Sequence, residues 1–406
     1  MIVFILLLLS VGTFIIPIYI SYSRRASLPS LSYKSLQIFF CTELVGSGLT
    51  ALGLPCYFFI VSGQDSSGLS QYLFFFLLCR IFWLFLLFTV FYRSLSVPFF
   101  SSGMPGLGTD LTKIFILILI ALLAWSLRSD WNAVLNPRLA YQIYRAGNGP
   151  FWTFYVFITA FFFTHLVLDN KLRIRFIILI ILLSWFTGSK QFILSATFAS
   201  VYLCASSDLF VNSSLRRYFS VVRPFLYLLI PVIVAILLYL NFGGFADQPY
   251  NKLESYFSSC RHATMAVSDK LQHSFTMPGS MYGSQFWSYI PRFIFPEKPF
   301  TYGSTLLNEL YFQGLAELGA TPSFGLYTSL FVEFGYIGFL LSPFDSSSLF
   351  ALLAIYVVSR PSLYSRNRLL SAYAFSFLAF PGISFHIFPV VSFLAFVGVY
   401  SLLRLK

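Results

Sequence analysis

The sequence predicts an all-α, polytopic integral membrane protein with about 11 to 12 transmembrane helices and one large external loop region. Of its 406 residues, 58% are hydrophobic and only 10% are charged, whereas soluble proteins have about 25% charged residues. Apolar runs that approach the ~20 residues needed for a helix to cross a bilayer recur along the chain. These runs are too many and too apolar for one soluble core.

The candidate membrane spans follow one another in the order of the chain. They cover roughly residues 1–20, 36–60, 71–92, 112–127, 150–168, 176–188, 191–207, 224–242, 325–358, 369–385 and 387–403. The run 325–358 is interrupted by Asp345 and the three serines after it. It is therefore either one kinked span or a half-span followed by a full span.

The distribution of basic residues predicts which loops are external. Most of the 26 Lys and Arg residues fall in one set of alternate loops, although the opposite set includes the two longest loops, 128–149 and 243–324. Because positive charge marks the cytoplasmic face, both long loops are expected to be external. The chain thus divides into N-terminal membrane helices over 1–242, the large loop over 243–324 and C-terminal membrane helices over 325–406.

The sequence predicts neither a metal site nor a cofactor. The loops on the cytoplasmic face are short, and no glycine-rich phosphate-binding loop is present. The five cysteines (Cys41, Cys56, Cys79, Cys204 and Cys260) show no CxxC motif, no metal-ligand spacing and no disulfide framework. Any chemistry is therefore expected to act on a membrane-borne or external substrate.

A proline-rich run in the large loop is the first candidate site. Residues 289–303 contain three prolines, which stiffen the backbone around Arg292, Glu297 and Lys298. Aromatic side chains beside cationic groups are typical of sugar and phosphate recognition. The alternative is a stiff interfacial loop whose aromatics rest at the level of the lipid headgroups.

The other external segments contribute further cations. The loop 128–149 contains Arg128, Arg138 and Arg145, whose guanidinium groups are suited to bidentate binding of a pyrophosphate. Contact with anionic lipid headgroups explains them equally well. Lys190, in the Thr-Gly-Ser-Lys turn, is expected near the start of a helix, where anions are favoured, or is simply a solvated turn residue.

Arg138 and Arg292 are each followed by ten residues and a glycine. Chance alone gives about one such match in a chain of this composition. The spacing therefore matters less than the placement of both copies in loops predicted to be external.

Charged residues inside predicted spans need partners, because an unpaired charge is costly in a bilayer. Glu43 and Arg80 lie on neighbouring spans and are expected to neutralise each other in a structural role. Glu333 lies at the start of a span, in the run Phe331-Val-Glu-Phe-Gly-Tyr-Ile-Gly338, whose two glycines are expected to allow close backbone approach. It is expected either to face an external cavity or to cap that end of its span.

Together these features resemble the O-antigen polymerase (Wzy-type) family of bacterial oligosaccharide repeat-unit polymerases. The resemblance is carried by the many spans, the two Arg-x10-Gly loops and the Thr187-Gly-Ser-Lys190 turn. The run Ile290-Pro-Arg-Phe-Ile-Phe-Pro-Glu-Lys-Pro299 and the later Phe334-Gly-Tyr-Ile-Gly338 also match. The turn often carries Arg in the family, so Lys190 keeps the charge but lacks the bidentate fork.

The resemblance implies a glycosyltransferase of the Gram-negative inner membrane, acting in lipopolysaccharide biosynthesis. It would polymerise undecaprenyl-pyrophosphate-linked repeat units into O-antigen at the periplasmic face. Implied partners are these lipid-linked oligosaccharides, the inner membrane lipids and a chain-length regulator membrane protein; no nucleic acid is expected.

The resemblance also implies roles for individual residues. Arg292, Glu297 and Arg138 are the catalytic candidates, and Glu297 would deprotonate the acceptor hydroxyl. Arg145 and Lys190 would help Arg138 to hold the pyrophosphate, and Lys298 would hold donor or acceptor beside Arg292. Arg128 and Tyr302 complete the substrate-binding candidates.

Two alternatives remain open. An O-antigen ligase would use a similar donor but attach the finished chain to lipid A core, and an external histidine, His262 or His273, would be its key residue. A flippase or exporter of the lipid-linked oligosaccharide would move its substrate without forming a bond. Transporters tend to have internal repeats, and none is apparent here.

Overall fold

The computed structural model describes the parts of the chain on which the following sections rest. These are residues 1–23, 30–63, 67–94, 112–127, 149–168, 174–186, 190–205, 258–273, 279–284, 287, 290, 295–299, 301–303, 305–314, 323–344, 346–360 and 368–379. The described residues are mostly helical and include no β-strand. The predicted all-α class is confirmed to that extent.

The described helices follow the predicted spans closely at the N-terminal end. They are α1 (Ile2–Ser23), α2 (Ser30–Glu43), a π-helical segment (Leu44–Gly53), α3 (Leu54–Val61), α4 (Ser67–Ser94), α5 (Thr112–Leu127), α6 (Gly149–Leu168), α7 (Ile174–Trp185) and α8 (Lys190–Ala205). After the next undescribed segment come α9 (Ser259–His273), α10 (Ser280–Ser284), α11 (Thr305–Tyr311), α12 (Thr328–Phe334), a 3-10 segment (Gly335–Phe344), α13 (Ser346–Val358) and α14 (Arg368–Ala379).

Among the described residues, four helical stretches are long and apolar enough to cross a membrane. They are Ile2–Ser23, Ser32–Val61, Ser67–Val90 and Thr328–Val358. Shorter apolar helices lie at Phe115–Ala124, Ile158–Val167 and Arg175–Trp185. The predicted spans 224–242 and 387–403 lie outside the described residues, so the count of 11 to 12 stays a prediction.

The interrupted run 325–358 changes geometry earlier than its sequence indicates. The α-helix ends at Phe334, and a 3-10 segment begins at Gly335, where φ is +59°. A Cβ on Gly338 would lie 2.6 Å from the carbonyl oxygen of Leu330. Gly338 therefore permits the close backbone approach expected of this motif, whereas Gly335 serves a left-handed backbone turn.

The described residues group into two compact units, and the first takes its residues from Met1–Ser23, Phe40–Arg93 and Asp247–Leu352. Its core is aromatic: the ring centroids of Phe75 and Phe331 are 5.1 Å apart, and those of Phe14 and Phe76 are 6.2 Å apart. Helix α9, from the predicted large loop, packs against α3 and α12 in this unit. Part of the large loop is therefore helical and built into the core.

The second unit takes its residues from Arg24–Phe39, Ser94–Ala246 and Leu353–Lys406. Helix α6 lies among α5, α7 and α14. The hydroxyl of Tyr155 donates to the carbonyl of Leu183 at 3.0 Å, and the hydroxyls of Thr164 and Ser376 are 2.6 Å apart. These bonds satisfy buried polar groups between helices, as a low-dielectric environment requires.

Candidate functional site

Lys298 connects separate residues within the described part of the proline-rich run. This side chain is only 8% exposed, and its Nζ donates to the carbonyl of Ile290 at 2.9 Å. Nζ also lies 4.5 Å from the ring centroid of Tyr302, within the range of a cation–π interaction. The predicted substrate-binding residues Lys298 and Tyr302 thus contact each other. The ammonium group links two parts of the same loop.

Glu297 lies beside Lys298 in the chain and is exposed. Two residues before it, Phe295 is 40% exposed and stacks on Trp287, with ring centroids 5.3 Å apart and planes at 26°. An exposed carboxylate therefore stands next to a stacked aromatic pair. Sugar-binding surfaces combine such groups, because the rings contact C–H faces while the carboxylate accepts hydrogen bonds from hydroxyls.

The end of the run is tied to two short helices. Gly303 has a φ of +60°, and its N–H donates to the hydroxyl of Ser284, in α10, at 2.9 Å. The N–H of Tyr302 donates to the hydroxyl of Thr305, at the start of α11, at 2.8 Å. These two bonds fix the backbone that carries the Tyr302 ring.

Glu333, in α12, holds the backbone of α10 through its carboxylate. Its carboxylate is buried at 3% exposure and accepts the N–H of Met281 at 2.8 Å and that of Tyr282 at 3.3 Å. Backbone N–H groups in a first helical turn lack intrahelical partners, and a carboxylate satisfies them well. Glu333 thus caps the neighbouring helix α10, where we expected it to face a cavity or to cap its own span.

A continuous chain of contacts results from these bonds. It runs from Glu333 to the backbone of α10, from Ser284 to Gly303, and from there along the backbone to Lys298. The sequence did not indicate the roles of Met281 and Ser284, because short polar helices in a long loop have no distinctive pattern. A buried acidic residue at the start of a span was the one signal present.

The intramembrane pair Glu43 and Arg80 is formed as predicted. Nη1 of Arg80 lies 2.6 Å from Oε1 of Glu43 in a salt bridge, and Arg80 is only 2% exposed. Its guanidinium lies 3.9 Å from the ring centroid of Phe14 and 4.8 Å from that of Trp83. Pairing and aromatic contact together stabilise a charge that would be costly alone in a bilayer.

His262, a candidate for the ligase alternative, is held in one orientation. Its Nδ1 lies 3.0 Å from the carbonyl oxygen of Ser323, and its ring centroid is 4.9 Å from that of Phe312. Burial, helped by the charge of Arg261, lowers its pKa although the carbonyl of Ser323 acts in the opposite direction. Because a carbonyl only accepts, Nδ1 carries the proton and Nε2 of the neutral ring is an acceptor.

The remaining candidates are not described at the level of side chains. Arg128, Arg138, Arg145 and Arg292 lie outside the described residues. Lys190 begins α8, and His273 ends α9. Among the side chains that are described, no three His, Cys, Asp or Glu residues lie together as metal ligands.

No protein-family model, curated protein or solved structure matches this chain.

Proposed function

We propose that this protein is a membrane glycosyltransferase of the O-antigen polymerase type, placed in the inner membrane of a Gram-negative bacterium. It would transfer a growing oligosaccharide from undecaprenyl pyrophosphate to a sugar hydroxyl of a new lipid-linked repeat unit. The reaction would take place at the periplasmic face. The lipid-linked oligosaccharides would be its substrates, and a chain-length regulator membrane protein its partner.

The observation that carries this proposal is the construction of the proline-rich run. Lys298 is hydrogen-bonded to Ile290 within the run, and Gly303 is hydrogen-bonded to Ser284 in α10. Glu297 is exposed at the surface of the run. A general base must be held in a fixed position within reach of the hydroxyl that it deprotonates. A stiff loop that presents one carboxylate beside aromatic rings supports that role for Glu297.

The cations complete the proposed chemistry. Departure of a lipid pyrophosphate develops negative charge, which preorganised cationic groups stabilise. Arg138, Arg145, Lys190 and Arg128 would hold the pyrophosphate, and Arg292 would act beside Glu297. The contacts of Lys298 within its loop favour a supporting role for this residue over direct contact with the substrate.

A reconstituted assay with purified lipid-linked repeat units tests the proposal. Wild-type protein should produce a ladder of polymers, and the Arg138→Ala, Arg292→Ala and Glu297→Gln variants should not. Glu309→Gln is the matched control, since the Glu309 carboxylate accepts the N–H of Gly314 within its own segment. Wild-type protein that moves the substrate across the bilayer without forming a bond would instead be a flippase.

A cellular readout separates the alternatives further. Loss of a polymerase leaves single repeat units on the lipid A core, whereas loss of a ligase or a flippase removes even those. Arg292→Ala should therefore give a band of single repeat units on a gel of surface polysaccharide. Complete absence of repeat units would count against polymerisation.

One observation favours the ligase as a second candidate. His262 presents Nε2 as an acceptor, which is the arrangement of a general base. Loss of transfer in His262→Ala, together with full activity in Glu297→Gln, would assign the chain to that reaction. His273→Ala is the paired variant in the same helix.

A further inference from the structure

Two cysteine thiols that are distant in sequence meet in the core of the first unit. Cys56 lies in α3 and Cys260 in α9, and they are 0% and 2% exposed. The helices that carry them, α3 and α9, pack against each other, and the two side chains lie close enough to interact. Both belong to the same buried cluster, which also contains Tyr72 and Phe331.

The packing of α9 brings these thiols together. The hydroxyl of Ser259 donates to the carbonyl of Ala51 at 3.4 Å, next to Cys260 in the chain. At the start of α4, a Cβ on Gly68 would overlap the hydroxyl of Ser268 and lie 3.0 Å from Thr264. The absence of a side chain at Gly68 therefore lets α9 approach α4 closely, while the bond of Ser259 holds the neighbouring Cys260 beside the π-helical segment that leads into α3.

The predicted topology puts both thiols on the side of the membrane where disulfides form. Cys56 is close to the end of the candidate span Ser32–Val61. Cys260 is in the loop 243–324, which the distribution of basic residues predicts to be external. The segment after Val61 belongs to the same external set, so the periplasm is the compartment expected for both.

We propose that Cys56 and Cys260 form a disulfide that fastens α9 of the large loop to the end of the second span. An oxidised dithiol protein of the periplasm is the required oxidant. One cysteine thiolate attacks the disulfide of this donor, forms a mixed disulfide and releases the first donor thiol. The second cysteine thiolate then attacks the mixed disulfide, so that two electrons and two protons pass to the donor.

The order of events follows from burial. Folded α9 shields both sulfur atoms, so the exchange takes place before or during the docking of α9. The other described cysteines have different surroundings: Cys79 is buried in α4 close to Ser342, and Cys41 is half-buried. Cys41 therefore provides a matched control.

The test is alkylation of the full-length protein, taken from the host membrane and denatured, with a mass-shifting maleimide before and after reduction. Two of the five cysteines should resist labelling until reductant is added. Mass spectrometry of unreduced peptides should show Cys56 joined to Cys260. In Cys56→Ser or Cys260→Ser every remaining cysteine should label without reduction, while Cys41→Ser should keep the protected pair.

Labelling of all five wild-type cysteines without reduction would overturn the proposal, and so would a cross-link that joins another pair. The wild-type measurement alone decides between these outcomes, even if a serine variant fails to fold. Because the readout uses no glycosyl transfer, it is independent of the proposed function.

Discussion

The carboxylate of Glu333 accepts the backbone N–H of Met281 at 2.8 Å, which joins a candidate membrane span to a helix of the large loop. The same helix supplies Ser284, whose hydroxyl accepts the N–H of Gly303 at the end of the proline-rich run. A charge at the start of a span thereby determines the position of a loop segment far from it in sequence. The proposed chemistry depends on that loop being rigid.

Glu333→Ala should release α10 and, through it, the proline-rich run. It leaves the N–H groups of Met281 and Tyr282 without their charged acceptor, a loss of about 1.5–3 kcal/mol for bonds of this kind. Hydrogen exchange of the peptides covering 279–284 and 301–303 should accelerate, while the exchange of α9 should not. Glu333→Gln keeps one acceptor oxygen and should show a smaller change.

Unchanged exchange over 279–284 in Glu333→Ala would contradict this role. Glu309→Gln serves as the control, because its carboxylate bonds to Gly314 and not to α10. Polymer formation by the same variants shows whether release of the loop affects the reaction. Accelerated exchange with normal polymer formation would separate the structural role of Glu333 from the proposed function.

Lys298→Met should loosen the run while keeping most of the side-chain volume. The substitution removes the ammonium from the carbonyl of Ile290 and from the ring of Tyr302. The carbonyl of the half-buried Ile290 then lacks its donor, which costs at most about 1–3 kcal/mol. We expect faster proteolysis of the loop and reduced polymer formation, and a substrate affinity that falls less than the turnover rate would identify a positioning role.

The sequence predicted those features of the fold and site that composition and local pattern determine. The apolar runs located the four candidate spans of the described residues, and the cost of a charge in a bilayer predicted the pairing of Glu43 with Arg80. The stiffness expected from three prolines stays a prediction, and the bond from Lys298 to the carbonyl of Ile290 joins the described parts of the run. In each case the physical cause acts on the residue itself or on its neighbour in the bundle.

Other features depend on which loop segment packs against which helix. The local sequence pattern does not predict these contacts. The hydrogen bond from the N–H of Met281 to Glu333 and the packing of Cys56 and Cys260 in one buried cluster each join a candidate span to the large loop. Lys298 was expected to bind substrate because it is a cation in an external loop. Its inward orientation follows from the position of the Ile290 carbonyl, which only the folded loop provides.

Separation of Glu43 from Arg80 should be more damaging than removal of both. Removing one partner of a buried ion pair leaves an uncompensated charge and costs about 3–5 kcal/mol. Arg80→Met should therefore lower the thermal unfolding temperature in detergent strongly. The double variant Arg80→Met with Glu43→Gln should recover part of this loss, and a double variant less stable than both single variants would rule out the pairing as the cause.

His262 should make folding stability dependent on pH. Burial lowers its pKa in the folded protein below the ordinary value of 6.5. The neutral ring is thus favoured by folding, so its contribution is complete above pH 6.5 and is lost as the pH falls through the folded pKa. His262→Gln should flatten the pH dependence of the unfolding temperature below pH 6.5, whereas an unchanged slope would exclude His262 as its source.

Gly325→Ala should destabilise the first unit through two separate effects. Gly325 has a φ of +79°, and an added Cβ would lie 2.7 Å from the hydroxyl of the buried Tyr72. The left-handed backbone alone costs a residue with a Cβ about 1–2 kcal/mol. Gly279→Ala is the matched control, since φ there is +80° and nothing lies within 4 Å of the added atom.

The excess loss of unfolding free energy in Gly325→Ala over Gly279→Ala measures the overlap with Tyr72. Combining Gly325→Ala with Tyr72→Phe should remove most of that excess but not the backbone strain, whereas equal losses in the two single variants would show that Tyr72 does not press on Gly325.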